Sequence, residues 1–286
     1  MASRNYEPLS PQDFSDLMPF LFHSYLRYDS DVFPFDWLCK TPDVRVECTE
    51  TTTADKDIAF PAPTALETAI EGFEYIDSPD SHRYAPDCDY AWSNWMDFVV
   101  HSVAKTSGIS RYEQKARGPL LDRLGTGVPR INCRPRVFGY GFFRYHPNHW
   151  IYSIHDVSRL DAEQLNAKNH ILRGEALAAT AIFHGQMNEF PWDNNRDRYL
   201  KPRLKYQGGP LVATIISYLG GKGRVVQVAC DPSEAYPTMK YTLRGLYDLN
   251  LSSYDKSAVQ KLVKWSLCPP NPCASHILPV RTEEKN

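Results

Sequence analysis

Four histidines and two carboxylic acids fall close together in this sequence: His146, His149, His155 with Asp156 beside it, then Glu175 and His184. Imidazole is the side chain best suited to moving protons near neutral pH, and a neighbouring carboxylate can fix its tautomer. The cluster therefore points to acid/base chemistry. In that reading His149 or His155 is the acid or base, Asp156 orients it, and Glu175 is the second carboxyl group across the site. The structural alternative places His146 and His149 in a turn and lets His155 and Asp156 end a strand. The His-x-x-His spacing straddles Pro147, which suits neither one turn of helix nor one face of a strand, so no metal site is expected.

Other motifs carry less. The order helix, three strands, helix resembles the core of restriction-endonuclease-like nucleases, which implies a carboxylate ending the second strand, where Asp231 stands, and a Glu-x-Lys element on the third, with Glu175 on the preceding helix as a further candidate. The third strand, Met239 to Leu243, lacks the Glu-x-Lys element, so two-metal phosphodiester chemistry is poorly supported. Asp231-Pro232-Ser233 reads equally as a turn. Gly220-Gly221-Lys222-Gly223 lacks P-loop spacing and runs into a strand at Arg224, which makes it a hairpin turn. Neither a GxSxG elbow nor a GxGxxG fingerprint opening a helix is present, and no organic cofactor is expected. Cys268 and Cys273 are spaced too widely for a usual zinc pair, and no second pair accompanies them.

The aromatic residues suggest what a proton-transfer site would act on. Trp92, Trp95, Tyr140, Phe142, Trp150 and Tyr152 concentrate in two segments. If those segments face each other, they would line a pocket for a small apolar substrate; otherwise they fill the core. The expected reaction class is cyclisation, dehydration or isomerisation.

These residues must be positioned by recognisable elements. Ser10, Pro11 and Asp13 announce a helix over Phe14 to Leu21, with a kink expected at Pro19. Residues 32–63 read as irregular cover, apart from a strand-like alternation at Val44, Val46 and Cys48. A second helix runs from Asp89 to Gly108, and a shorter one is expected over 110–124. RVFGYGFFRY and HWIYSI form a hairpin about His146-Pro147-Asn148. Helical spacing then continues from Leu165 to Met187, with Gly174 as a division. Strands are expected at 211–219, 224–229 and 239–247, and a last helix at 252–266. Short turns between neighbouring strands argue an α+β fold with a largely antiparallel sheet flanked by helices. The chain divides into a mainly helical N-terminal portion (1–130), an α+β core (131–267) and a Pro-rich tail (268–286).

Composition narrows the class. The 286 residues are 42% hydrophobic and 23% charged, which excludes wholesale disorder and fibrous repeats. A formal charge of -2 supplies no global field for a polyanion, so nucleic acid is an unlikely partner. The basic stretch Arg196 to Lys205 remains the place where a competing, non-catalytic reading would dock a partner or nucleic acid. Seven scattered cysteines fit reduced thiols and a cytoplasmic setting. No run of apolar residues is long enough to span a membrane, and none is expected to bind one.

Gly174-Glu175-Ala176, the paired strands PLVATIISYLGGKGRVVQVACD, and RGLYDLN before Lys264-Trp265 resemble a pattern in an uncharacterised family of ascomycete fungal proteins. The resemblance covers residues 170–267. It implies a fungal accessory or biosynthetic protein, and because that family has no settled activity, no catalytic residues are carried over from it.

Overall fold

The computed structural model describes residues 6–50, 59–77, 89–109, 118–125 and 137–273. Cys88, Cys133, the first part of the helix expected over 110–124 and the end of the tail lie outside the described residues, as does the side chain of Tyr140.

Helix α1 (Pro11–Arg27) starts where the sequence announces it. The Ser10 hydroxyl accepts from the Asp13 N–H and the Asp13 carboxylate accepts from Ser10 in return, so two otherwise orphaned amides are satisfied. Pro19 does not divide the helix. Phe14, Met18, Leu21, Phe22 and Tyr25 are buried along one face that packs on helix α7 (Arg173–Met187), and this burial outweighs the lost backbone bond.

Strand β1 (Val32–Pro34) leads into the single turn α2 (Phe35–Leu38) and then to β2 (Arg45–Glu50), where Val46 is buried between exposed Arg45 and Glu47 as the alternation requires. Helices α3 (Thr64–Glu71), α4 (Asp89–Ser107) and α5 (Pro119–Gly125) follow. The hairpin of β3 (Val137–His146) and β4 (His149–Asp156) turns at Pro147 and Asn148.

The long helical segment expected over 165–187 is broken. Asp161 caps a short α6 (Ala162–Asn166) in a box with Gln164, and β5 (His170–Leu172) pairs with β1 before α7 begins. Gly174 sits in the first turn of α7 rather than at a division. All fifteen residues of α7 are buried, so it is a central helix whose alanines and glycines let neighbours approach closely.

Two small ribbons follow, in which β6 (Asn188–Glu189) pairs with β9 (Arg203–Leu204) and β7 (Trp192–Asp193) pairs with β8 (Arg198–Tyr199). Strands β10 (Leu211–Leu219), β11 (Lys222–Cys230) and β12 (Thr238–Asp248) form an antiparallel meander, and α8 (Lys256–Leu267), capped by Asp255, completes the order.

The main sheet has six strands in the order β2-β12-β11-β10-β4-β3. The α+β class is as expected, and the sheet is mixed: β4 runs parallel to β10, and β2 runs parallel to β12. The segment between β4 and β10 carries α7 and supplies the long crossover a parallel pair needs. One core lies between the sheet and α1, α5 and α7; the other lies between the opposite face and α3, α4 and α8. Among the described residues no helix is long and apolar enough to cross a membrane.

Candidate functional site

Alternation along β4 decides the fate of the expected acid/base group. Trp150, Tyr152 and Ile154 belong to the core beneath α7, while Ile151 belongs to the core beneath α4 and α8. His149 and His155 share the face of Ile151, and Asp156 shares the face of Trp150. Glu175, on α7, lies on the Asp156 side. The sheet therefore stands between the imidazoles and the carboxyl groups. The expectation that His149 or His155, Asp156 and Glu175 converge is corrected: neighbouring strand residues point to opposite faces. His149 and His155 are also six residues apart on the strand, roughly 20 Å.

Each imidazole is held in a polar contact of its own. His155 Nδ1 lies 3.0 Å from the Ser93 hydroxyl on α4. His149 begins a line of hydrogen bonds that crosses the sheet. Its Nε2 meets Thr214 Oγ1 at 2.8 Å, Thr214 Oγ1 accepts from Gln227 Nε2 at 3.1 Å, and Gln227 Oε1 accepts from Arg244 Nε at 2.9 Å. Gln227 Nε2 also donates to the Pro270 carbonyl, tying the chain after α8 to the sheet. Burial lowers the His149 pKa to about 3, so the ring is neutral at physiological pH.

On the opposite face Glu175 accepts from the Leu172 N–H and from Arg224 Nε. Arg224 also donates to the carbonyls of Ala167 and His170, which fastens the segment before α7 to β11. Asp156 Oδ1 accepts from the Ser158 N–H at 2.9 Å and from its hydroxyl. Burial raises the Asp156 pKa to about 6, against the opposing effect of these bonds. Its Oδ2 has no hydrogen-bond partner among the described residues. The whole group is sealed, so these residues staple α7 to the sheet.

The aromatic residues are divided in the same way. Trp92 and Trp95 pack edge to face at 5.3 Å in the core of α4, where Trp92 also stacks on Tyr254. Phe142, Trp150 and Tyr152 form a T-shaped cluster in the other core. The expected shared pocket is thus corrected to two core clusters.

Asp231 caps the turn after β11 by accepting from Ser233, at the far end of the strand from Arg224 and Glu175. That separation, about 20 Å along the strand, denies a nuclease-like carboxylate pair. Gly220 and Gly221 adopt positive φ in the β10–β11 turn. The basic stretch forms part of the small ribbons, where Arg198 stands opposite Asp193 and Arg203 opposite Glu189, with Arg196 also paired to Asp193.

A concavity of ligand size lies elsewhere. The C-terminal half of α1, the turn of α2 and residues 40–43 enclose a cleft of about 380 Å³. Phe20, Leu21, Tyr25, Tyr28 and Trp37 supply its apolar lining. Tyr28 lies 4.4 Å from Trp37, and Trp37 stacks on Phe33 at 4.8 Å, so the aromatic wall is backed by a second layer. Phe20 remains 55% exposed and Tyr28 36%, although both could have been buried by a larger fold.

Polar groups sit at the two ends of this cleft. At the inner end the Tyr25 hydroxyl faces Thr41. Thr41 Oγ1 donates to the Leu38 carbonyl at 2.7 Å, whereas the buried Tyr25 hydroxyl has no hydrogen-bond partner among the described residues. Burial raises the Tyr25 pKa, which keeps the phenol neutral. Lys40 and Asp43 stand at the rim. Phe20 and Tyr28 lie at helical spacing beside the core stripe of α1 and widen its apolar face, a signal from one wall of the cleft only.

No family model, no curated protein and no solved structure matches this chain.

Proposed function

We propose that this protein binds a small, largely apolar, ring-bearing molecule in the α1–α2 cleft. The observation that carries the reading is the aromatic cleft itself, large enough for such a ligand and provided with one buried hydroxyl pair and a charged rim. Ring faces of Tyr28 and Trp37 offer stacking area at little cost in side-chain freedom, and the Tyr25–Thr41 hydroxyls favour a ligand with one hydrogen-bonding group. The apolar part of the expectation drawn from the sequence survives in this reading, at a different address. Its acid/base part does not, because the groups meant to carry it are apart and sealed.

The test uses the dye 1-anilinonaphthalene-8-sulfonate as a ring-bearing probe. Saturable one-to-one binding with a dissociation constant of tens of micromolar or tighter is expected, since about 20 ligand atoms contribute roughly 0.3 kcal/mol each. Ser24 is exposed on the cleft wall, so Ser24→Trp fills the space without disturbing the core. That variant should weaken the dye at least tenfold while its melting temperature holds. Equal binding by Ser24→Trp, or no saturable binding by the parent chain, rejects the proposal.

A further inference from the structure

Two side chains of opposite charge stand at the mouth of the cleft. Lys40 and Asp43 line it three positions apart, on the segment that joins α2 to β2, and Tyr28 and Trp37 line it with them. Lys40 Nζ lies 3.3 Å from an Asp36 carboxylate oxygen, and these two side chains are 67% and 77% exposed. A pair so open to water contributes little, so an incoming carboxylate can share its cation. Asp43 is exposed, and its carboxylate makes no hydrogen bond or ion pair among the described residues. Leu21 and Tyr25, both buried, lie behind this charged mouth and supply an apolar interior.

We propose that the α1–α2 cleft takes a free aromatic amino acid, its ring turned inward, its carboxylate at Lys40 and its ammonium at Asp43. The inference rests on the ligand-binding reading of the cleft and names the class of ligand.

Charge complementarity selects this class. Mixed charges are common on any surface, but these two border an aromatic hollow of ligand size. A ligand with one charge is poorly matched there: an anion drawn to Lys40 comes close to Asp43, and a cation drawn to Asp43 meets Lys40. A molecule that carries an ammonium and a carboxylate on one carbon answers both. Ring faces of Tyr28 and Trp37 attract the ammonium further, and the ring of the ligand gains the stacking area already described. A residue inside a peptide carries neither charge on its backbone and a terminal residue carries one, so the two rim groups together favour the free amino acid. For a ligand of this size a dissociation constant on the order of 0.1–1 mM is expected.

The test titrates the full chain with L-tryptophan, with tryptamine, which lacks the carboxylate, and with indole-3-propionate, which lacks the ammonium, each followed by ligand-observed NMR. L-tryptophan should bind at least fivefold more tightly than either analogue. Lys40→Met should remove its advantage over tryptamine, and Asp43→Asn its advantage over indole-3-propionate; both positions are exposed, so the fold should hold. Ser24→Trp, which fills the cleft, should abolish the binding of all three. A preference below fivefold over either analogue, a preference that survives in either charge variant, or binding retained by Ser24→Trp overturns the inference. If the naphthalene dye saturates the cleft while L-tryptophan shows no preference, the ligand class is wrong and the ligand-binding reading stands. If neither the dye nor any of the three indoles saturates, that reading fails and takes this inference with it.

Discussion

Arg224 Nε lies 3.0 Å from Glu175 Oε1, and neither side chain is more than 1% exposed. The pair joins the start of β11 to the first turn of α7, where a carboxylate also complements the helix dipole. Because water cannot reach either charge, each depends on the other.

Removing one partner strands the second. Arg224→Ala should lower stability by about 3–5 kcal/mol, as read by urea denaturation, since it also abandons the carbonyls of Ala167 and His170. The double variant Glu175→Gln with Arg224→Met should recover a substantial part. If the double variant is as unstable as the sum of the single ones, the two residues do not act as a pair.

Gly174 tests how closely α7 approaches β4. A Cβ there would stand 2.6 Å from Asp156 Oδ2 and 3.0 Å from a Val137 methyl. Gly174→Ala, although favourable for an isolated helix, should cost about 1–3 kcal/mol. Gly108→Ala serves as a contrast. Nothing lies within 4 Å of that position, so any loss there comes from its φ of +73° alone. A stabilised Gly174→Ala would contradict the packing described.

Acid should weaken the fold. Burial lowers the pKa of His149 to about 3 and those of His170 and His184 to about 4, against about 6.5 in an open chain. As pH falls through 6.5 the unfolded chain takes up protons that the folded one refuses. The stability these neutral rings contribute above pH 6.5 is therefore lost toward pH 4, at up to about 1.4 kcal/mol per pH unit for each ring. Asp156 works in the opposite sense. With its pKa raised to about 6, it keeps a proton in the fold that the open chain gives up above about pH 4, which offsets one ring of the three. The melting temperature should fall steadily between pH 7 and pH 5; a rise over that interval would contradict the assignment.

Thr214 Oγ1 is the shared partner of His149 and Gln227 in the polar line across the sheet. Thr214→Val keeps the shape but leaves His149 Nε2 and one Gln227 proton without that partner, and should cost about 1–3 kcal/mol. Thr214→Ser restores the hydroxyl and should recover most of the loss apart from one methyl group. Equal stability of the valine and serine variants would show that the hydroxyl contributes nothing.

Local signals carried much of the fold. The Ser10–Asp13 cap, the turn at Pro147, and the alternation at Val44 and Val46 each name an element from a handful of neighbouring residues. The helical register across 165–187 misled because Leu165 and Leu172 happen to keep the spacing of α7 while belonging to α6 and β5. The acid/base group was a different kind of error. His155 and Asp156 are adjacent on a strand, and the period of two that identifies the strand also sends their side chains apart. The cleft was hidden for a third reason: α1 and residues 37–43 meet only through tertiary packing, and no short pattern records the gap between them.

Thr49 and Thr242 face each other across β2 and β12 although 193 positions separate them along the chain. At about 5–20 residues per second of synthesis, the first of these strands leaves the ribosome on the order of 10–40 s before its neighbour exists. During that wait its backbone is an open seam beside a growing chain, open to pairing with a matching strand of the next copy on a crowded polysome. Slower translation downstream of residue 50 is therefore expected to raise the fraction of nascent chain lost to aggregation.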